Sequence, residues 1–148
     1  MARATTENFH QMVVEIETGT PGVYSKICGV TSRSVNRTSN MSTSEVPDCD
    51  DESQPASVER AVQSQEVAIS GTGVWASQSH GTILDWWYSG ATKNIRIGHL
   101  NAAVGETEYE TGPAYLVSIN NTAERGSKVT SEIEIQFDGL PTPTAKAA

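Results

Sequence analysis

Along most of this chain, apolar residues recur at every second position, the period of half-buried strands. Phe9 to Glu17 reads as a strand, with Met12, Val14 and Ile16 on one face and Val13, Glu15 and Glu17 on the other. Gly19-Thr20-Pro21-Gly22 is a turn signal. Tyr24 to Val30 reads as a second strand, in which Gly29 marks a bulge or a close approach. Gln65 to Ala76 is a third, with Val67, Ile69 and Trp75 in one parity and Gly71 and Gly73 interrupting the side-chain ladder. Lys93 to Leu100 turns Ile95 and Ile97 inward, and Tyr115, Val117 and Ile119 alternate with polar or smaller residues. The clearest strand closes the chain at Lys128 to Asp138. Val129, Ile133, Ile135 and Phe137 share one parity there, and Lys128, Thr130, Glu132, Glu134, Gln136 and Asp138 share the other. One face is core and the other is wet or faces a partner.

The period changes once. From Ser79 to Ser89 the residues Ile83, Leu84, Trp87 and Tyr88 fall at helical spacing. Ser77 or Ser79 would cap this helix and Gly90 would end it, leaving Trp86 at the edge of the buried stripe. Residues 101–111, carrying Glu106, Glu108 and Glu110, read as a loop. Together these elements predict a mainly β protein of about six or seven strands, an antiparallel sandwich or barrel of two packed sheets with one flanking helix.

Residues 31–57 break the pattern. Arg33 to Ser44 is a run of Ser, Thr, Asn and Arg, and Pro47-Asp48-Cys49-Asp50-Asp51-Glu52 follows. A polar loop of this length is unusual inside a compact domain. The preferred reading is a long β-ribbon arm with no core of its own, ordered by a neighbour. The expected organisation is one domain over 1–140, with the arm at about 31–57, the helix at about 79–89, and a low-complexity, disordered tail over 141–148.

Composition narrows the function classes. The chain has 148 residues and a formal net charge of −8. An acidic chain does not grip nucleic acid, because phosphate binding rests on Lys and Arg. Acidity fits a surface past which DNA slides, or simply solubility. No run approaches membrane-spanning length, so the product is expected to be made and stay in the cytoplasm. Cys28 lies in an apolar run and reads as a buried thiol, while Cys49 lies in an acidic loop, and a bridge between them stays open.

No constellation selects a reaction. His10, His80 and His99 are not spaced as zinc ligands, and no Gly-x-Ser-x-Gly elbow is present. The acidic cluster at 48–52 lacks the glycine and the terminal glutamate of a calcium loop. Trp86-Trp87 could stack on a sugar, but core and interface roles are favoured. The chain is therefore expected to be a structural protein, not an enzyme, with no cofactor and no metal.

The order of certain segments carries a resemblance. Pro21-Gly22-Val23-Tyr24 leads into Ser25-Lys26-Ile27-Cys28-Gly29-Val30, and a polar arm follows with Glu45-Val46-Pro47-Asp48-Cys49-Asp50-Asp51. Then come Val67-Ala68-Ile69-Ser70-Gly71-Thr72-Gly73-Val74-Trp75, the helix and the closing strand. Over roughly residues 10–140 this resembles the major tail tube proteins of long-tailed, siphophage-type bacteriophages. The resemblance implies two packed antiparallel sheets with a flanking helix and a hairpin arm, assembled as hexameric rings that stack into a hollow tube. It implies assembly in the host cytoplasm around a tape-measure protein, caps formed by a tail terminator and a distal tail protein, a place in the virion tail, and passage of DNA through the lumen without specific binding. It brings no catalytic residues. Arg33, Arg37, Asn40, Glu45, Asp48, Asp50, Asp51 and Glu52 become the candidates for contact between subunits or rings. Glu132, Glu134 and Asp138 become candidates for the lumen or wet face, with Lys128, Arg96 and Arg125 arguing against an entirely acidic channel. The rival readings are an inner-tube protein of a contractile tail or a type VI secretion system, a head-decoration protein, and a sugar-binding β-sandwich; a hydrolase comes last.

Overall fold

In chain order, the strands are β1 (Met12–Glu17), β2 (Tyr24–Lys26), β3 (Val30–Val46) and β4 (Ser57–Val74), followed by helix α1 (Ser77–Ser89). Then come β5 (Lys93–His99), β6 (Thr107–Thr122), β7 (Thr130–Phe137) and β8 (Thr142–Ala145). They are seen in a computed structural model that describes residues 2–148. All pairs are antiparallel, in the order β2-β1-β5-β6-β7-β4-β3, with β8 added to β6.

The expected two sheets are thus one continuous ladder rolled on itself. Its opposite edges meet: a guanidinium nitrogen of Arg33 on β3 donates to the Phe9 carbonyl just ahead of β1, at 2.7 Å. Val14 of β1 shares a small apolar cleft with Ile69 of β4 and Ile135 of β7. Inside the roll, Ile16, Ile95, Ile97, Leu116, Val67 and Phe137 complete a dry core. The period-two arithmetic carries across the sheet, so that Val35, Ile69, Ile135 and Leu116 lie in one inward row. Each such side chain removed from water contributes about 1.5–3 kcal/mol.

The helix is correctly located but turned. Ile83 and Trp86 are its buried residues, with Trp86 1% exposed, whereas Trp87 and Tyr88 are 46% and 77% exposed. The helical spacing in the sequence predicts Trp87 in the core stripe and Trp86 at its edge. Trp86 wins because it stands three residues from Ile83 and its indole N–H reaches the Ala91 carbonyl, at 2.9 Å, just beyond the helix end. Neither expected serine caps the helix. Ala76 holds the N-cap position, and the Ser79 hydroxyl donates instead to the Cys28 carbonyl. Gly90 ends the helix in the left-handed conformation, as its sequence position suggested.

Four further expectations change. Residues 141–148 are not a disordered tail: Thr142–Ala145 pair with Thr107–Thr111. β7 reaches β6 only from Ala114 onward, which leaves the first half of β6 with an open edge, and main-chain pairing there does not depend on composition. The loop assigned to 101–111 consequently ends at Glu106, and Thr107 opens β6. β4 begins at Ser57, eight residues before the predicted start at Gln65. Cys28 is exposed rather than buried, and both thiols are unpaired.

Candidate assembly surfaces

β3 and β4 outrun the roll. Asn36 to Val46 and Ser57 to Glu66 are solvent-exposed throughout, yet they remain hydrogen-bonded to each other from Asn36↔Ala68 to Val46↔Ser57. At about 3.3 Å per residue, the ten steps from Asn36 to Val46 make an arm roughly 30 Å long. The predicted arm over 31–57 thus covers the outgoing strand and the tip but misses the returning strand, and its first residues belong to the body.

This division separates the arm candidates. Arg33 is a body residue. Its guanidinium lies 3.9 Å from the Phe9 ring centroid, and burial lowers its pKa. Arg37 stands at the arm's base and forks onto Glu110 of β6, with its Nε 3.2 Å from Oε1. Glu110 also accepts from His99 Nε2 at 3.0 Å. Burial raises the Glu110 pKa, but the hydrogen bonds from Arg37 and His99 outweigh it and hold the carboxyl below its ordinary value. Arg33 and Arg37 are therefore both engaged within the chain, and the Arg37 side chain is still half exposed. Asn40 bridges the two strands, its amide donating to the Ser64 hydroxyl at 2.9 Å. Only Glu45, Asp48, Asp50, Asp51 and Glu52 stand near or on the tip and exposed.

The tip has a defined shape. Asp48 Oδ1 accepts the backbone N–H groups of Asp50 and Asp51, and Asp51 accepts from Ser53 and Gln54. These are Asx turns, in which the carboxylates act as structural acceptors.

Between base and tip the arm has two unlike faces. One carries Ser42, Ala61, Ser44 and Glu59 in opposed pairs. The other pairs Met41 with Val62 and Glu45 with Val58, and all three apolar side chains are about half exposed. Met41, Val58 and Val62 were not among the sequence candidates. A signal existed, because Val58 and Val62 share a period-two parity with Arg60 between them. A bulge between Asn40 and Met41 puts that parity out of step with Val67.

The outer face of the β3-β4-β7-β6 half is polar. Its rows read Ser32, Thr72, Glu132 and Asn120, then Ser34, Ser70, Glu134 and Ser118, then Asn36, Ala68, Gln136 and Tyr115. Glu132 and Glu134 are on it, and no Lys or Arg is. Asp138 lies just past β7, its N–H donating to the Pro113 carbonyl. The three cations that argued against an acidic face lie elsewhere. Lys128 and Arg125 are in the β6–β7 turn. Arg96 is on the other half of the sheet, 4.3 and 4.1 Å from the ring centroids of Tyr24 and Tyr109, and it contacts both Glu15 oxygens at 3.1 Å.

A sugar platform would need both indole faces open, and Trp86 is in the core. Among the described residues, no group of three or more His, Cys, Asp or Glu is arranged to hold a metal ion. No helix among them is long and apolar enough to cross a membrane.

No curated protein matches this sequence. Solved structures share the fold, three of them as follows. The tail of an empty GTA particle, refined helically with C6 symmetry, superposes with a TM-score of 0.76 at 15% identity, covering 95% of this chain and 100% of that one. The virion of a native gene transfer agent particle gives 0.71 at 14%, covering 95% and 100%. The SPP1 tail tube, solved by solid-state NMR and cryo-EM, gives 0.67 at 12%, covering 95% and 80%. The sequence model of the phage tail tube protein family matches residues 6–143, and the chain, a rolled antiparallel sheet with one helix and a bare hairpin arm, belongs to that family.

Proposed function

We propose that this protein is the protomer of a phage tail tube, closing into hexameric rings that stack into a hollow conduit for DNA. The observation that carries this reading is the arm: a hairpin roughly 30 Å long that buries nothing in its own protomer, yet exposes Met41, Val58 and Val62 on one face. Such an element is stable as an independent unit only when a neighbour covers it. The sheet edges support the same reading. β3 is a long edge strand paired on one side only, a liability that ring closure removes by covering it with the adjacent subunit.

The face bearing Glu132 and Glu134 is the candidate lumen wall. It carries no Lys or Arg to neutralise phosphate, and its carboxylates repel it, so DNA passes without being held. Asp138 would extend the acidic rim at the end of β7. The tip carboxylates and Glu45 are assigned to contact with another subunit. The tape-measure protein would occupy the lumen during assembly in the host cytoplasm, and the tail terminator and distal tail protein would close the ends. The chemistry is mechanical and electrostatic, with no step that calls for a catalytic group or cofactor.

The test is negative-stain electron microscopy of purified protein across a concentration series, with sedimentation of the same samples. Rings or hollow tubes of even width are expected. A single monomeric species at every concentration, both alone and with the tape-measure protein, would sink the proposal.

A further inference from the structure

Asp138-Gly139 is the one place in the chain where glycine follows an aspartate or an asparagine. An aspartate carboxyl lies within ring-closing reach of the next peptide nitrogen, and glycine has no Cβ to obstruct the approach. The fold leaves both groups free. Asp138, Gly139 and Leu140 are all exposed, in the bend that follows β7. Among the described residues the Gly139 N–H has no acceptor and the Asp138 carboxylate has no donor or cation, whereas the Asp138 N–H is held by the Pro113 carbonyl at 2.9 Å. Gly139 takes a φ of 82°, and a Cβ built on it would meet no atom within 4 Å, so the space around the linkage is open. Comparable linkages are restrained. The Asp51 N–H, after Asp50, is bound by Asp48 Oδ1 at 3.2 Å, and the Ala102 N–H, after Asn101, by the His99 carbonyl at 3.1 Å. Asn94 and Asn120 lie within paired strands.

We infer that Asp138-Gly139 is a self-modification site, where the aspartate converts to isoaspartate with the chain's own peptide nitrogen as nucleophile. The Gly139 nitrogen attacks Cγ of the protonated Asp138 carboxyl. A C–N bond forms, and the amide proton leaves with the carboxyl hydroxyl as one water, closing a five-membered succinimide. Water then adds back at either ring carbonyl. Addition at Cγ breaks the new bond and restores aspartate. Addition at the main-chain carbonyl carbon breaks its bond to the Gly139 nitrogen and leaves Gly139 joined through Cγ. One water leaves and one returns, so mass is unchanged, and a carboxylate remains at 138.

The conversion lengthens the main chain by one methylene between two fixed points. Phe137, on one side, is in the core at 8% exposure. Pro141, on the other, lies against β6: its Cα is 3.1 Å from where a Cβ on Gly112 would stand. β8 follows, four exposed residues paired from Thr111↔Thr142 to Thr107↔Ala145. A short exposed strand held by main-chain bonds is among the first elements to open. With the link to Phe137 lengthened, Pro141 and β8 lose their native placement, and β8 comes loose from β6.

The test ages dilute wild-type protein at mildly acidic pH in water enriched in heavy oxygen, beside Asp138→Glu, whose carboxyl would have to close a six-membered ring, and beside wild-type chain held unfolded in urea. Peptide mapping should find isoaspartate at 138 in the folded wild type, carrying one oxygen from the labelled water and accumulating several-fold faster than at 50 or 101. Asp138→Glu should give none at 138. Amide exchange over 142–146 should be faster in the aged wild type than in the fresh protein, and unchanged by ageing in Asp138→Glu. Conversion at 138 in urea but not in the folded protein would show that the fold restrains the linkage, and would overturn the site. Isoaspartate at 138 with unchanged exchange over 142–146 would overturn the loosening of β8.

Discussion

Replacing Met41, Val58 and Val62 together by serine tests whether the bare face of the arm drives assembly. The three side chains are 47%, 50% and 54% exposed in the protomer, so each has about half its surface left to bury. Full burial of such a side chain is worth about 1.5–3 kcal/mol, which gives about 1 kcal/mol for each half and about 3 kcal/mol for each arm. That is roughly a hundredfold in the equilibrium constant for seating one arm. A ring seats several arms at once, so the losses multiply and stacking should fail at concentrations where the native chain assembles fully. The protomer itself should be little affected. Exposed substitutions usually stay within about 0.5 kcal/mol each, and none of the three touches the core. The assay pairs sedimentation and microscopy, for assembly, with chemical unfolding of the isolated protomer, for stability. Two results would refute the reasoning: tubes forming at the native concentration, or a triple variant that is unfolded when dilute.

Four further outcomes follow from the same geometry. Excising residues 41–62, both strands and the tip together, should leave a folded monomer that does not assemble, whereas removing 40–56 alone would strand the returning half of the hairpin; circular dichroism and sedimentation separate the two. Trp86→Ala should cost about 3–5 kcal/mol in urea unfolding of the monomer, because it empties a fully buried site, while Trp87→Ala should cost less than about 1 kcal/mol. Glu110 has a folded pKa held below 4.5, so the stability it contributes is present above that value and lost as pH falls through the lower folded value; a Glu110→Gln chain should show a flatter decline in stability below pH 4.5, and an unchanged acid limb would refute the Arg37–Glu110–His99 linkage. Gly73→Ala should destabilise the protomer by more than an ordinary strand substitution, since a Cβ there would fall on the Gly29 carbonyl oxygen, and an unchanged unfolding midpoint would contradict that contact.

What could be read from the sequence divides along the line between surfaces the chain buries by itself and surfaces it leaves for a partner. β1, β5 and β7 announce themselves because one face of each is sealed by this chain alone, and burial forces the alternation of Val14 and Ile16, Ile95 and Ile97, Ile135 and Phe137. The helix period was equally plain, but its rotation was not. Trp86 and Trp87 differ by 100° around the axis, and a bond to a carbonyl beyond the helix, at Ala91, decided between them. β8 was hidden for a different reason: it is held by main-chain pairing to a strand edge that β7 leaves open, which makes no demand on side chains. The arm lay in the most obscure stretch. Its two faces both meet water in the protomer, so no strong contrast between apolar and polar positions is written there, and the bulge at Met41 shifts what contrast exists. That weak contrast follows from the role. An arm as apolar as a core strand would aggregate before it found its site, and one wholly polar would gain nothing on arriving. Three half-exposed apolar side chains behind an acidic tip lie between those limits. They are too few to collapse on any hydrophobic surface, and they are repelled by another acidic tip.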